Sequence, residues 1–157
     1  ATIRSNAQNR YVPNFSYGKG KIVWNFESVN MPAGTDGFLY LNGDTWHWNG
    51  AANGAGWIQI RIYPQDSTTK SSFKLHYDWT AEEFTLEESM NDIKTIELDT
   101  KVDPEDATKV NVTFSINGKV YYSGKEHNAF DLDGHKGVIF YSGFSGPFSP
   151  ELSLIHI

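Results

Sequence analysis

The stretch Gly56-Trp-Ile-Gln-Ile-Arg-Ile-Tyr63 decides the fold class, because isoleucines alternate in it with aromatic and polar residues without a break. Successive side chains of a β-strand point to opposite faces of the sheet. One face of this strand carries three isoleucines and is predicted to be core. The opposite face carries two aromatic rings, an amide and a guanidinium, which are Trp57, Gln59, Arg61 and Tyr63. A strand that only met solvent would carry Thr, Lys, Glu or Ser there, so this face is predicted to have a second role.

Short β-prone runs of the same kind recur along the chain, separated by turn residues. The candidate strands are 21–28, 37–42, 45–48, 56–63, 71–79, 93–99, 109–117, 119–123, 137–143 and 151–157. Asn42-Gly43 and Asn117-Gly118 are predicted as tight hairpin turns, since both residue types tolerate positive φ. Many short strands with regular turns predict an all-β fold, a two-sheet antiparallel β-sandwich of the jelly-roll kind.

At most one short helix is expected, near 80–91. Thr80 and Glu83 form a capping-box pattern, which is typical of a helix N-terminus. The apolar residues that follow do not form a continuous helical stripe, so an ordered loop stays open as the alternative.

Length and composition exclude several classes of function. The 157 residues predict a single domain, 1–157, and the aromatic share of 15% is high for a soluble chain. The net charge of −6 disfavours nucleic acid and anionic membranes as partners and favours a neutral ligand. The absence of cysteine excludes disulfides, thiolate metal sites and a cysteine nucleophile. A secreted, extracellular location is expected, because many bacterial secreted domains also lack cysteine.

The outward faces of three candidate strands would form one surface if 37–42, 56–63 and 71–79 are neighbours in one sheet. Flat Trp and Tyr rings match the apolar C–H faces of a pyranose, and polar groups match its hydroxyls. The predicted ligand-binding residues come from these three strands and from the adjoining segment 45–49. They are Trp46, Trp48, Trp57, Gln59, Arg61, Tyr63, Tyr40, Asn42 and His76. The alternative is that the three tryptophans among them only cover an edge of the sandwich.

Three segments together resemble a non-catalytic carbohydrate-binding module with a β-jelly-roll or concanavalin-like sandwich. They are Trp46-His-Trp48, the strand 57–63, and the strand–Asn-Gly–strand hairpin 112–122. The resemblance implies aromatic rings on one sheet face that bind a neutral plant-type polysaccharide such as β-glucan, xyloglucan or xylan. It also implies a monomeric accessory module without enzyme activity, covalently linked to a catalytic domain that degrades the glycan.

Two other classes of function stay open. A small polysaccharide lyase would use Tyr63, His76 and Arg61, and a glycoside hydrolase would need two carboxylates about 5–9 Å apart. Glu27 and Asp78 face away from the core on their strands, but nothing in the sequence brings them together. An adhesion-type lectin that binds host glycans is the third possibility.

Metal-binding signals are confined to one short segment. Asp131-Leu-Asp133-Gly134 resembles a fragment of a calcium loop, so Asp131 and Asp133 are the candidate ligands of a structural Ca²⁺. A polar turn is the alternative for this segment, and no other cofactor is expected.

Overall fold

The computed structural model describes residues 8–11, 18–29, 37–44, 57–75, 81–127, 139–145 and 151–156. For 8–11, 42–44, Trp57, Leu75, His127, 139–145 and 151–156 it describes the backbone alone. The strands are β1 Gln8–Tyr11, β2 Lys19–Ser28, β3 Phe38–Asp44, β4 Trp57–Ile62, β5 Ser71–Leu75, β6 Glu82–Phe84, β7 Thr95–Val102, β8 Lys109–Ile116, β9 Lys119–His127, β10 Ile139–Ser145 and β11 Glu151–His156. Among the described residues, no helix has the length and apolarity needed to cross a membrane.

These strands pair into two antiparallel sheets. The first has six strands in the order β1-β10-β3-β4-β5-β6, and the second has five in the order β11-β2-β7-β8-β9. Every neighbouring pair is antiparallel. The predicted all-β class with two antiparallel sheets is confirmed.

The core lies between the two sheets and is built by the alternation in the strands. Ile58, Ile60 and Ile62 of β4 are each 0% exposed, as their pattern predicted. The five-stranded sheet buries the alternate residues of β2, β7 and β8, which are Ile22, Trp24, Phe26, Ile96, Leu98, Val110, Val112, Phe114 and Ile116. Removing this apolar surface from water drives the folding of the sandwich.

The two predicted Asn-Gly turns have different outcomes. Asn117 and Gly118 adopt φ values of 51° and 80° between β8 and β9, so this hairpin is confirmed. The turn predicted at Asn42-Gly43 is wrong, because both residues lie inside β3. There β10 pairs with β3 on one side and β4 on the other, and this double pairing holds the backbone extended.

Residues 81–92 contain no α-helix, although the capping-box pattern of Thr80 and Glu83 is typical of a helix N-terminus. The chain instead forms β6 and then one turn of 3-10 helix, Met90–Asp92. Pairing of β6 with β5 lets the ring of Phe84 pack 5.7 Å from that of Phe114 and 5.0 Å from that of Tyr121. Tertiary packing thus prevails over the local helix signal. The candidate strand 45–48 lies outside the described residues.

A register shift in β9 brings two consecutive tyrosines against the core. Phe114 pairs with Tyr122 and Ser115 with Val120, which leaves Tyr121 as the extra residue of a β-bulge. Tyr121 and Tyr122 are both partly buried against the core. The Tyr121 hydroxyl donates to Glu88 Oε2 at 2.6 Å, and burial together with this bond raises the pKa of Tyr121 to about 12.

Candidate ligand-binding face

The strand β4 lies between β3 and β5 in the six-stranded sheet, as the surface predicted from the sequence requires. Tyr40 of β3 pairs with Arg61 of β4, and Gln59 of β4 pairs with Lys74 of β5. These residues alternate with the buried Leu39, Leu41 and isoleucines of the same strands. They therefore lie on the outer face of the sheet, away from the core.

One part of this face is a compact group of aromatic rings with a guanidinium. The ring of Phe38 lies 4.9 Å from that of Tyr63, with 32° between the planes, and 6.2 Å from that of Tyr40. Arg61 Cζ lies 5.5 Å from the centre of the Phe38 ring, within cation–π range. We call Phe38, Tyr40, Arg61 and Tyr63 the Phe38 cluster. Phe38 contacts each of the other three members.

Backbone hydrogen bonds and register hold the cluster in place. The backbone N–H of Tyr63, just beyond β4, donates to Ser71 Oγ at 2.9 Å, and Ser71 is buried. This bond fixes the chain where it leaves β4 for the turn toward β5. Because β3 and β4 pair continuously from Leu39 to Asp44, their side chains have little freedom to shift relative to one another.

The cluster offers both apolar and hydrogen-bonding surface to a ligand. Phe38, Tyr40, Gln59 and Tyr63 are half-buried and Arg61 is exposed. Burial raises the pKa of Tyr40, so its hydroxyl stays protonated at neutral pH and can donate as well as accept. Rings that pack against one another and are half-buried need little further ordering when a ligand binds.

The structure brings together four of the predicted ligand-binding residues: Tyr40, Gln59, Arg61 and Tyr63. Asn42 and Trp57 occupy strand positions in the same sheet, where Asn42 pairs with Gln59 and Trp57 with Asp44, but their side chains are not described. The remaining predictions lie outside the described residues: Trp46, Trp48, His76, Asp131 and Asp133.

Of the two carboxylates that a glycoside hydrolase could use, Glu27 and Asp78, the structure describes Glu27 alone. Glu27 is exposed on β2 of the five-stranded sheet, and Asp78 lies outside the described residues. No group of three or more His, Asp or Glu in the described part of the chain could hold a metal ion.

Phe38 is a residue of this face that the predicted ligand set omits. Its position two residues before Tyr40 places it on the same face, which is a signal present in the sequence. Its contact with Tyr63 follows from the pairing of Leu39 with Ile62, and a sequence does not supply that register.

Comparison with known proteins gives similar structures and no similar sequences. No protein-family model and no curated protein matches the chain. The carbohydrate recognition domain of Emp46p superimposes with a TM-score of 0.58 at 13% identity, over 96% of this chain and 78% of that one. Sheep galectin-11 gives 0.53 at 12% identity, over 94% and 98%. A β-glucanase of Bacillus licheniformis gives 0.53 at 13% identity, over 99% and 75%.

The likeness is one of fold. At these identities it shows that the chain shares the lectin-like β-sandwich of these proteins. Proteins with unrelated activities often share one fold, so the fold alone does not determine what this protein binds.

Proposed function

We propose that the protein binds a polysaccharide through the outer face of its six-stranded sheet and does not cleave it. The observation that carries this proposal is the adjacency of β3, β4 and β5, which joins Tyr40, Gln59, Arg61 and Tyr63 on one face. Without that adjacency the alternating residues of β4 would remain isolated on the surface.

The chemistry of this face suits sugar rings. Aromatic side chains provide flat apolar area with a polar tip, and stacking of a flat ligand on such a ring contributes about 1–3 kcal/mol. The amide of Gln59, the guanidinium of Arg61 and the protonated Tyr40 hydroxyl can bond to hydroxyls around the sugar ring. The named neighbours in this fold include a carbohydrate recognition domain and a glucanase, which supports a carbohydrate as the class of ligand.

The ligand that we propose is a plant-type β-glycan with a neutral backbone, such as β-glucan, xyloglucan or xylan. The net charge of −6 supports this, because a densely anionic polymer would be repelled. We further propose that the protein is a secreted, monomeric accessory module of a glycan-degrading enzyme.

A polysaccharide lyase is the second candidate, since Tyr63 and Arg61 lie on the same face, as that chemistry would need. Tyr40 pairs with Arg61 on the same face, and burial moves its pKa farther from the neutral range in which a tyrosine base works best. This argues against Tyr40 as the base of a lyase.

The test is affinity electrophoresis and titration calorimetry of the protein with β-glucan, xyloglucan and xylan. We expect binding to at least one of them, and Tyr63→Ala should weaken that binding by about 1–2 kcal/mol through loss of a stacking ring. Val120→Ala is the matched control, since Val120 is 53% exposed on the five-stranded sheet and should not affect binding.

Two results would contradict the proposal. Equal affinities of Tyr63→Ala and the unaltered protein would exclude this face as the binding site. Release of reducing ends or of unsaturated products from any of the three polymers would show an enzyme.

A further inference from the structure

We propose that the Phe38 cluster recognises one carboxylated sugar, a uronate unit, on an otherwise neutral glycan chain. This inference rests on the proposed function and adds the chemical feature that the site selects. Arg61 would bind the carboxylate, and the aromatic rings beside it would bind the sugar.

The side chain of Arg61 is exposed, and the residues paired with it across the sheet are Tyr40 and Ser72, neither of which is acidic. The next position in that row is Glu83 of β6, two strands from Arg61 and therefore about 10 Å away. Within the described part of the chain, Arg61 forms no ion pair, and its recorded contact is with the Phe38 ring.

The five N–H donors of a guanidinium lie in one plane and match the two oxygens of a carboxylate with parallel hydrogen bonds. A single sugar hydroxyl has only one oxygen and cannot reproduce this two-oxygen geometry. Contact with Phe38 restricts the guanidinium before any ligand arrives, so less side-chain freedom is lost on binding.

The described outward side chains of β3, β4 and β5 include the cations Arg61 and Lys74 and no Asp or Glu. The described side chains next to Arg61 are therefore neutral or cationic, although the net charge of the protein is −6. Charges farther away than about 8 Å are largely screened at physiological salt, so a single carboxylate beside Arg61 interacts mainly with that guanidinium. A polymer charged at every unit would extend beyond it.

One sugar matches the spacing of the Phe38 cluster, because residues directly opposite across two strands have Cβ atoms about 5 Å apart. A pyranose lying over Tyr40 would thus present a carboxylate attached to its ring to Arg61, the residue paired with Tyr40. Tyr63 and Phe38 extend the apolar surface beside it.

The experiment compares glycans that differ only in the carboxylate. One pair is glucuronate-substituted xylan before and after reduction of its carboxyl groups to hydroxymethyl groups. The other pair is β-glucan before and after limited oxidation of its primary hydroxyls to carboxylates. In calorimetry we expect the carboxylated member of a pair to bind about tenfold more tightly, as a charge-assisted bidentate contact gives.

Three variants assign that preference to Arg61. Arg61→Gln should bind both members of a pair equally, and Arg61→Lys should keep part of the preference because it keeps the charge without the planar donors. Lys101→Gln removes the same charge from an exposed residue of the five-stranded sheet and should keep the full preference. Unchanged thermal midpoints would show that all three variants remain folded.

The outcomes separate the two proposals. If the unaltered protein binds both members of each pair equally, carboxylate recognition is wrong while glycan binding stands. If Arg61→Gln keeps the preference, the assignment to Arg61 is wrong. If none of the four polymers binds and xyloglucan does not bind either, the proposed function itself fails.

Discussion

The buried carboxylate of Asp103 connects the turn after β7 to the strand β9. Asp103 follows β7 and is 5% exposed. One carboxylate oxygen accepts the backbone N–H of Glu105 at 2.9 Å, and the other pairs with Lys125 Nζ of β9 at 2.6 Å. The bond from Lys125 is the largest cause that lowers the pKa of Asp103. This residue therefore closes the turn between β7 and β8 and ties it to β9.

The low pKa of Asp103 predicts a specific loss of stability in acid. A carboxylate whose pKa is depressed by folding stabilises the protein above its unfolded value of about 3.9, and this contribution disappears as pH falls through the folded value. Asp103→Asn should lower the thermal midpoint at pH 7 and make the midpoint less dependent on pH below about 4. Asp66→Asn, at an exposed position, is the control. If the thermal midpoint of Asp103→Asn falls below about pH 4 as steeply as that of the unaltered protein, the acid sensitivity does not come from Asp103.

At the scale of single residues, alternation was sufficient to sort the faces. It placed Tyr40, Gln59 and Arg61 outside and the isoleucines of β4 inside, because the period of a strand is fixed by covalent geometry. It could not give the contact of Phe38 with Tyr63. That contact depends on which residue of β3 faces which residue of β4, and this register is a property of the sheet.

At the scale of elements, the Asn117-Gly118 hairpin is held by its asparagine side chain. Asn117 Oδ1 accepts the backbone N–H groups of Lys94 at 2.7 Å and Thr95 at 3.0 Å, and Nδ2 donates to the carbonyl of Asp92 at 2.8 Å. The turn is thereby fixed to the segment that leads into β7. Gly118 completes it with a φ of 80°.

Gly118→Ala tests the backbone strain at this turn. A Cβ at Gly118 would meet no atom within 4 Å, so the substitution costs only the left-handed conformation, about 1–2 kcal/mol. Urea denaturation should show a lower midpoint with an unchanged slope. Ser123→Ala, at an exposed position of β9, should leave the midpoint nearly unchanged. If Gly118→Ala matches that control, the turn is not strained in the way that its φ implies.

The two Asn-Gly sequences show why elements were predicted only in part. The dipeptide at 117–118 acts locally, since the strands on both sides of it are consecutive in the chain. At 42–43 the strand β10, about a hundred residues later in the chain, pairs with β3 and overrides the same local preference. The short strands β1 and β6 were missed because Gln8-Asn9-Arg10 and Glu82-Glu83 lack β-branched residues.

At the scale of the whole molecule, Phe73 joins the two sheets. It belongs to β5 of the six-stranded sheet, and its ring stacks 5.8 Å from that of Phe114 and 4.6 Å from that of Tyr122. Both partners belong to the five-stranded sheet. The stack crosses the core, so the stability of each sheet depends on the other.

Phe73→Ala should therefore destabilise the entire protein by about 3–5 kcal/mol, and Phe73→Leu by clearly less. Far-ultraviolet circular dichroism and tryptophan fluorescence should report one coincident transition on denaturation. Glycan affinity of the folded fraction should persist, since Phe73 faces the core and not the outer face of β5. Two separated transitions would show that the sheets unfold independently.

The consecutive order of β3, β4 and β5 has a consequence for how such a protein can diversify. The three strands pair as a meander, so the described part of the candidate ligand-binding face is encoded between residues 38 and 75. The five-stranded sheet draws its strands from other parts of the chain. Recombination that exchanges this one interval would transfer the outward side chains of all three strands to an existing scaffold together with the inward-facing isoleucines that pack against its core.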